Sequence, residues 1–139
     1  MLPTFPFLRI YGVQVIGLSG LNDPKLISRG QQHAEGVIFT DGFSADSNDV
    51  QSRFFVDRFK SMHKKAPTKM SAEAFDVASL LVDMMRSSDQ LISRNYVFSR
   101  LRNLRGFEGV TGKIFSDGYQ IRKEARLFIV RDGKVERFQ

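Results

Sequence analysis

At 139 residues, with 42% hydrophobic and 26% charged residues, the chain has the make-up of a globular domain rather than a disordered or fibrous one. It contains no cysteine, which excludes disulfides, zinc–thiolate and iron–sulfur sites and cysteine nucleophiles, and no apolar run approaches the ~20 residues of a membrane helix. The net charge of +6 is uneven: residues 1–52 hold three Lys/Arg against five Asp/Glu, and residues 53–139 hold eighteen against ten. Such a balance suits nucleic acid, anionic lipid or an acidic protein, or else marks solvated helix faces.

The opening Met1-Leu2-Pro3-Thr4-Phe5-Pro6 lacks the basic-then-apolar layout of a signal peptide, so no signal segment is expected in this chain. Val13-Gln14-Val15-Ile16 is β-branched and runs into Gly17-Leu18-Ser19-Gly20, which predicts a buried strand ending in a tight loop. Asn22-Asp23-Pro24 predicts a helix start, Asp23 as cap and Pro24 at the first position, with an end at Gly30. Gly36 to Thr40 is a second apolar strand, stopped by Asp41-Gly42. Strand, short helix, strand is a βαβ unit and implies a parallel sheet.

After the polar stretch 44–49, Val50, Phe54, Phe55, Phe59 and Met62 are spaced for one face of a helix running to about Lys64. Ser71 is expected to cap a second helix over 71–86, with Ala74, Phe75, Ala78, Leu81, Val82 and Met85 inward. Ser93 caps a third over 93–105, with Val97, Phe98, Leu101 and Leu104 inward and Arg94, Arg100, Arg102 and Arg105 outward. Gly106 to Gly112 reads as a helix-to-strand loop, followed by a strand at Lys113-Ile114-Phe115. Asp117-Gly118 and Asp132-Gly133 are hairpin turns, because type I′ turns need positive φ at both central positions.

Catalytic chemistry finds no support. A nucleophile elbow around Ser19 would need glycine two residues later, and Leu21 stands there. No phosphate-binding glycine motif is present, and His33 and His63 lack ligand-like spacing, so neither a cofactor nor a metal is expected. Met62, Met70, Met84 and Met85 read as core filler. The residues describe a mixed α/β binding or interaction module.

Leu8-Arg9-Ile10-Tyr11-Gly12-Val13, then Ile16 to Leu26 and Ala34 to Phe43, are followed by Phe54–Phe59, Ala74-Phe75-Asp76-Val77-Ala78 and Phe107 to Gly118. This order of segments resembles the second half of a type I periplasmic solute-binding protein, whose best-known members bind leucine, isoleucine and valine for ABC importers. The wording at Gly109-Val110-Thr111-Gly112 is closest to the branch of penicillin-binding-protein activators, outer-membrane lipoproteins on the same fold.

The resemblance implies an incomplete α/β fold of parallel-sheet layers with a C-terminal hairpin, truncated to the C-terminal portion. Residues 1–44 would belong to lobe two, 45–117 to lobe one and 118–139 to a return hairpin, with hinges at Ser44-Ala45 and Asp117-Gly118. Ligand contacts would fall at Ser19-Gly20 and Met70-Ser71; the family's ammonium-binding acid is replaced by uncharged Ser19. The implied function is noncatalytic binding of an amino acid or other small polar solute by a periplasmic or outer-membrane-associated parent. One alternative is an activator that binds a cell-envelope protein; the other is nucleic-acid binding through residues 94–105. Helices left without their sheet further imply a homodimer, formed by exchange of segments.

Overall fold

A computed structural model describes residues 8–9, 12–87 and 92–138; Met1 to Pro6 and the Ile10-Tyr11 pair of the first motif lie outside them. In chain order the elements are β1 Ile16–Gly17, α1 Pro24–Gly30, β2 Ile38–Asp41, α2 Val50–His63, α3 Lys69–Arg86, α4 Arg94–Arg102, β3 Phe107–Gly109, β4 Gly112–Ser116, β5 Ile121–Lys123, β6 Arg126–Arg131 and β7 Lys134–Arg137. They divide into two compact units, Met1–Phe54 with Ala125–Gln139, and Phe55–Glu124.

The first unit is built on a four-stranded sheet of order β1-β2-β6-β7. β1 and β2 are parallel, Ile16 opposite Ile38, while the C-terminal hairpin joins antiparallel with Phe39 opposite Phe128. The α/β class and the closing hairpin are as the sequence implies; the parallel pairing is confined to β1 and β2. The first strand is shorter than expected. Ladder bonding begins only where Ile38 N–H donates to the Val15 carbonyl at 3.0 Å, so Val13 and Gln14 stay outside the strand.

Asp23 caps α1 as its side chain predicts, accepting from Lys25 N–H at 2.8 Å. Gly30 ends the helix in helical geometry, and Gln31 takes the positive φ of +46°. Ala34, Val37, Phe39, Phe128, Val130 and Val135 form the core, with the Phe39 and Phe128 rings stacked at 5.7 Å. Asp132 and Gly133 both have positive φ, +49° and +68°, the type I′ turn that Asp-Gly favours. The carboxylate of Glu35 receives both turn amides, Asp132 N–H at 2.9 Å and Gly133 N–H at 2.6 Å.

In the second unit the helices expose faces that their periodicity suggests are buried. On α2, Phe55 and Val56 are buried and Phe59 half-buried, but Met62 faces outward; Val50 and Phe54, at the start of the same helix and counted with the first unit, are exposed as well. The Phe55 ring packs on Phe59 at 5.7 Å and on Phe75 of α3 at 5.0 Å.

Helix α3 starts two residues early. Thr68, not Ser71, is the cap: Thr68 Oγ1 accepts from Ser71 N–H at 3.2 Å, and Ser71 Oγ accepts from Thr68 N–H at 3.3 Å, closing a capping box. Its buried stripe is Ala72, Asp76, Leu80 and Met84. The expected stripe looks outward instead, with Phe75, Leu81, Val82 and Met85 between 39% and 54% exposed.

Ser93 caps α4 through Tyr96 N–H at 3.1 Å, and Val97 and Leu101 are half-buried, but Phe98 is exposed. Of the four methionines expected in the core, only Met84 is buried; Met62, Met70 and Met85 are exposed.

Gly106–Gly112 is not a plain loop. It contains β3 and a two-residue turn, Val110-Thr111, that leads into β4; β5 completes a three-stranded antiparallel sheet. Gly112 has φ +118°, and a Cβ on Gly109 would stand 2.5 Å from Asp76 Oδ2, so the turn needs both glycines.

Candidate functional site at the carboxyl ends of the parallel strands

In open α/β sheets, ligands bind beyond the carboxyl ends of parallel strands. Here that end of β1 opens into a 3-10 turn, Ser19–Leu21, and β2 ends at Asp41. Asn22 ties the two. Its side-chain amide donates to Asp41 Oδ2 at 2.9 Å and to the Phe43 carbonyl at 2.6 Å. Asp41, itself buried, also receives Gly42 N–H at 2.7 Å.

Asn22 thus fixes the loop that carries the two residues expected to touch ligand. Ser19 and Gly20 are exposed, and a Cβ on Gly20 would meet open space, so both are available to a solute. Gly17 is different: a Cβ there would collide with the Leu21 side chain, so glycine lets the turn fold back on the strand end. The two carboxylates of this corner are committed, Asp41 to Asn22 and Gly42, and Asp23 to the helix amide. The corner can donate and accept hydrogen bonds, with Ser19 as its exposed hydroxyl.

Met70 and Ser71 lie in the first turn of α3, in the other unit. Met70 is exposed and Ser71 is taken up in the capping box. Neither unit by itself therefore contains all four expected contact residues. Of the expected hinge residues, Ser44 is buried with its carbonyl accepting from Ser47 N–H at 3.2 Å, Ala45 is half-buried, and Asp117-Gly118 open the β4–β5 turn, residues 117–120, where only Gly118 of the pair has positive φ, so the expected type I′ form is not taken.

Asp117 organises that turn. Its carboxylate accepts from Tyr119 and Gln120 N–H and pairs with Arg122. Chiefly the Gln120 amide, then the Arg122 guanidinium and the Tyr119 amide, hold its pKa down to about 2.

Two polar features escape sequence reasoning. The Asn22–Asp41 bond spans 19 residues, and each partner already has a local explanation, as part of a helix start and as a strand stop. Asp76, 1% exposed on α3, accepts from Val110 N–H at 2.7 Å, from Thr111 N–H at 2.8 Å and from Thr111 Oγ1 at 2.5 Å. A buried carboxylate is tolerable only when hydrogen-bonded in this way, and it fastens the β3–β4 turn to the helix. Among the described residues, no group of three or more His, Asp or Glu is placed to hold a metal, and no helix is long and apolar enough to cross a membrane.

Residues 10–134 match a family model described as periplasmic binding protein. Among solved structures, the chain is similar to a Rhodospirillum rubrum protein assigned to branched-chain amino acid ABC transport, with 24% identity and a TM-score of 0.85 over 95% of this chain and 39% of that one. A leucine binding protein from Thermotoga maritima matches at 26% identity and TM-score 0.64, over 96% of this chain and 38% of that one. A Rhodopseudomonas palustris solute binding protein, in complex with 3,4-dihydroxybenzoic acid, matches at 20% and 0.70, over 99% and 40%. No curated protein matches the chain. It spans about 40% of the length of these structural relatives. With the family model covering all but the two ends, the chain belongs to the periplasmic binding protein family.

Proposed function

We propose that this chain is a portion of a two-lobed, noncatalytic solute receptor serving an ABC importer, acting in the periplasm, and that the Ser19-Gly20 loop is part of its ligand face. Residues 1–44 and 118–139 are assigned to lobe two and 45–117 to lobe one; the compact units divide slightly later, after Phe54 and after Glu124. Met70-Ser71 is the proposed ligand contact of lobe one, taken by itself. The proposed hinge residues Ser44-Ala45 and Asp117-Gly118 lie ahead of the two passages between lobes, because Asp117-Gly118 is a turn inside the sheet of the second unit.

The observation that carries the reading is the Asn22 bridge. It uses a partly buried amide to hold an exposed hydroxyl loop at the strand ends, where this fold class takes ligands. The same corner narrows the ligand. Its buried acid, Asp41, is engaged by Asn22 and Gly42, and the position expected to carry an ammonium-binding acid is the uncharged Ser19, which favours a polar solute without an ammonium group over a free amino acid. The relative holding 3,4-dihydroxybenzoic acid is an example of the favoured class.

The test is an amide chemical-shift titration of the chain with 3,4-dihydroxybenzoate and, separately, with leucine. Half of a ligand face supports weak binding, with Kd on the order of millimolar. The expected result is saturable shifts at Leu18–Leu21 with the aromatic acid and weaker or no shifts with leucine. Shifts confined to other residues, or none with either solute, contradict the assignment.

The outward face of α3, where Phe75, Val77, Leu81, Val82 and Met85 are all exposed along one side of a single helix, supports the reading as a portion of a larger fold. For the chain alone, we propose that a second copy covers this face, as a homodimer that exchanges segments.

A further inference from the structure

The second unit contains an apolar recess that plays no part in the solute face proposed above. It lies between α4 and the β4–β5 turn, holds about 400 Å3, and is lined by Phe98, Leu101, Arg102, Ser116, Tyr119 and Ile121 among others. Phe98 is 66% exposed and Tyr119 93% exposed, so two aromatic rings stand at its rim in water. Aromatic and arginine side chains are the residue types that carry most binding energy at protein interfaces.

The segment that forms it is predominantly basic. Residues 92–123 hold seven Lys/Arg against Glu108 and Asp117, a net of +5. Arg94, Phe98 and Arg102 recur at every fourth position of α4, and so share one face of the helix. Arg102 is held at the rim by its Nε–H, which donates to the Gly118 carbonyl at 3.2 Å. A guanidinium carries five donors, so this bond leaves most of the fork to a ligand carboxylate.

Spacing completes the description. Eight residues of helix place Arg94 and Arg102 about 12 Å apart along the axis. On an extended peptide, residues two positions either side of a central one lie about 13 Å apart and point to the same side as it. We propose that the recess is a docking site for an acidic polypeptide segment with the pattern acidic-x-apolar-x-acidic. The apolar side chain fills the recess against Phe98 and Tyr119, and the carboxylates meet Arg94 and Arg102. A concave recess suits an inserted side chain better than a flat bilayer surface.

The probe is a fluorescein-labelled peptide with one leucine flanked at −2 and +2 by aspartate in a glycine–serine background, followed by fluorescence anisotropy with the full chain. Saturable binding is expected, weakened about tenfold when the leucine is replaced by serine, or the aspartates by lysine. Phe98→Ser and Arg102→Glu should each weaken it about tenfold with an unchanged circular dichroism spectrum, since both side chains are on the surface. Equal binding of the serine peptide, or of an arbitrary oligonucleotide, would reduce the site to charge alone and overturn the proposal. Absence of peptide binding overturns it too, and sedimentation with phosphatidylglycerol vesicles in that case would make a membrane the occupant.

Discussion

The two units use the same materials to different ends. In the first, a core drawn from sheet and hairpin closes on itself although Ile16 and Leu18 at the edge strand stay exposed, and carboxylates finish the job: Glu35 holds the hairpin turn and Asp41 anchors the loop bridge. In the second, a helix with apolar residues on nearly every side buries only one narrow stripe. That stripe contains an aspartate, and the richer apolar face is left outward. A buried face is therefore chosen by what a helix has to meet, not by which of its faces is most hydrophobic.

That contrast can be broken from either side. The largest effect is expected in the closed core: Phe39→Ala removes a ring stacked on Phe128 and should cost about 4 kcal/mol in urea unfolding. Next comes the single polar member of the buried α3 stripe. Asp76→Ala deprives three donors of their acceptor and should cost about 3 kcal/mol, with fast hydrogen exchange at Val110 and Thr111. Asp76→Asn keeps an acceptor oxygen and should recover part of that loss.

How far the sequence could be read follows the same division. Asp23 before Pro24, and Asp132-Gly133 between apolar runs, act through their own backbone, so both were legible. The face of α3 was not. Periodicity locates an apolar stripe but cannot say which residues another element will cover, and here the turn at Val110-Thr111 selected Asp76 from 34 residues away. At the candidate site, the exposed Ser19-Gly20 loop follows from a strand running into glycines, whereas the Asn22–Asp41 bond exists only once β1 and β2 are paired.

Smaller effects sharpen the comparison. Glu35→Ala releases two amides that water can reach, so about 1 kcal/mol is expected, measured as a lowered unfolding midpoint. The smallest concerns pH. The Asp117 carboxylate has a folded pKa of about 2 against an ordinary value of 3.8, so its hold on the β4–β5 turn is complete above 3.8 and lost as pH falls through about 2. Carbon-13 shifts of the Asp117 carboxyl should titrate with a midpoint near 2, and a midpoint near 3.8 would mean the turn amides do not bind it in solution.

The outward apolar face of α3 bears most directly on the account of this chain as a portion of a larger fold. Size-exclusion chromatography with light scattering, repeated for Leu81→Lys and Met85→Lys together, reads it out. The account predicts twice the 15.8 kDa chain mass for the native sequence and a shift toward the single mass for the variant, whose fold should be kept because both side chains are exposed. A native chain that remains a single 15.8 kDa species at every concentration would contradict it.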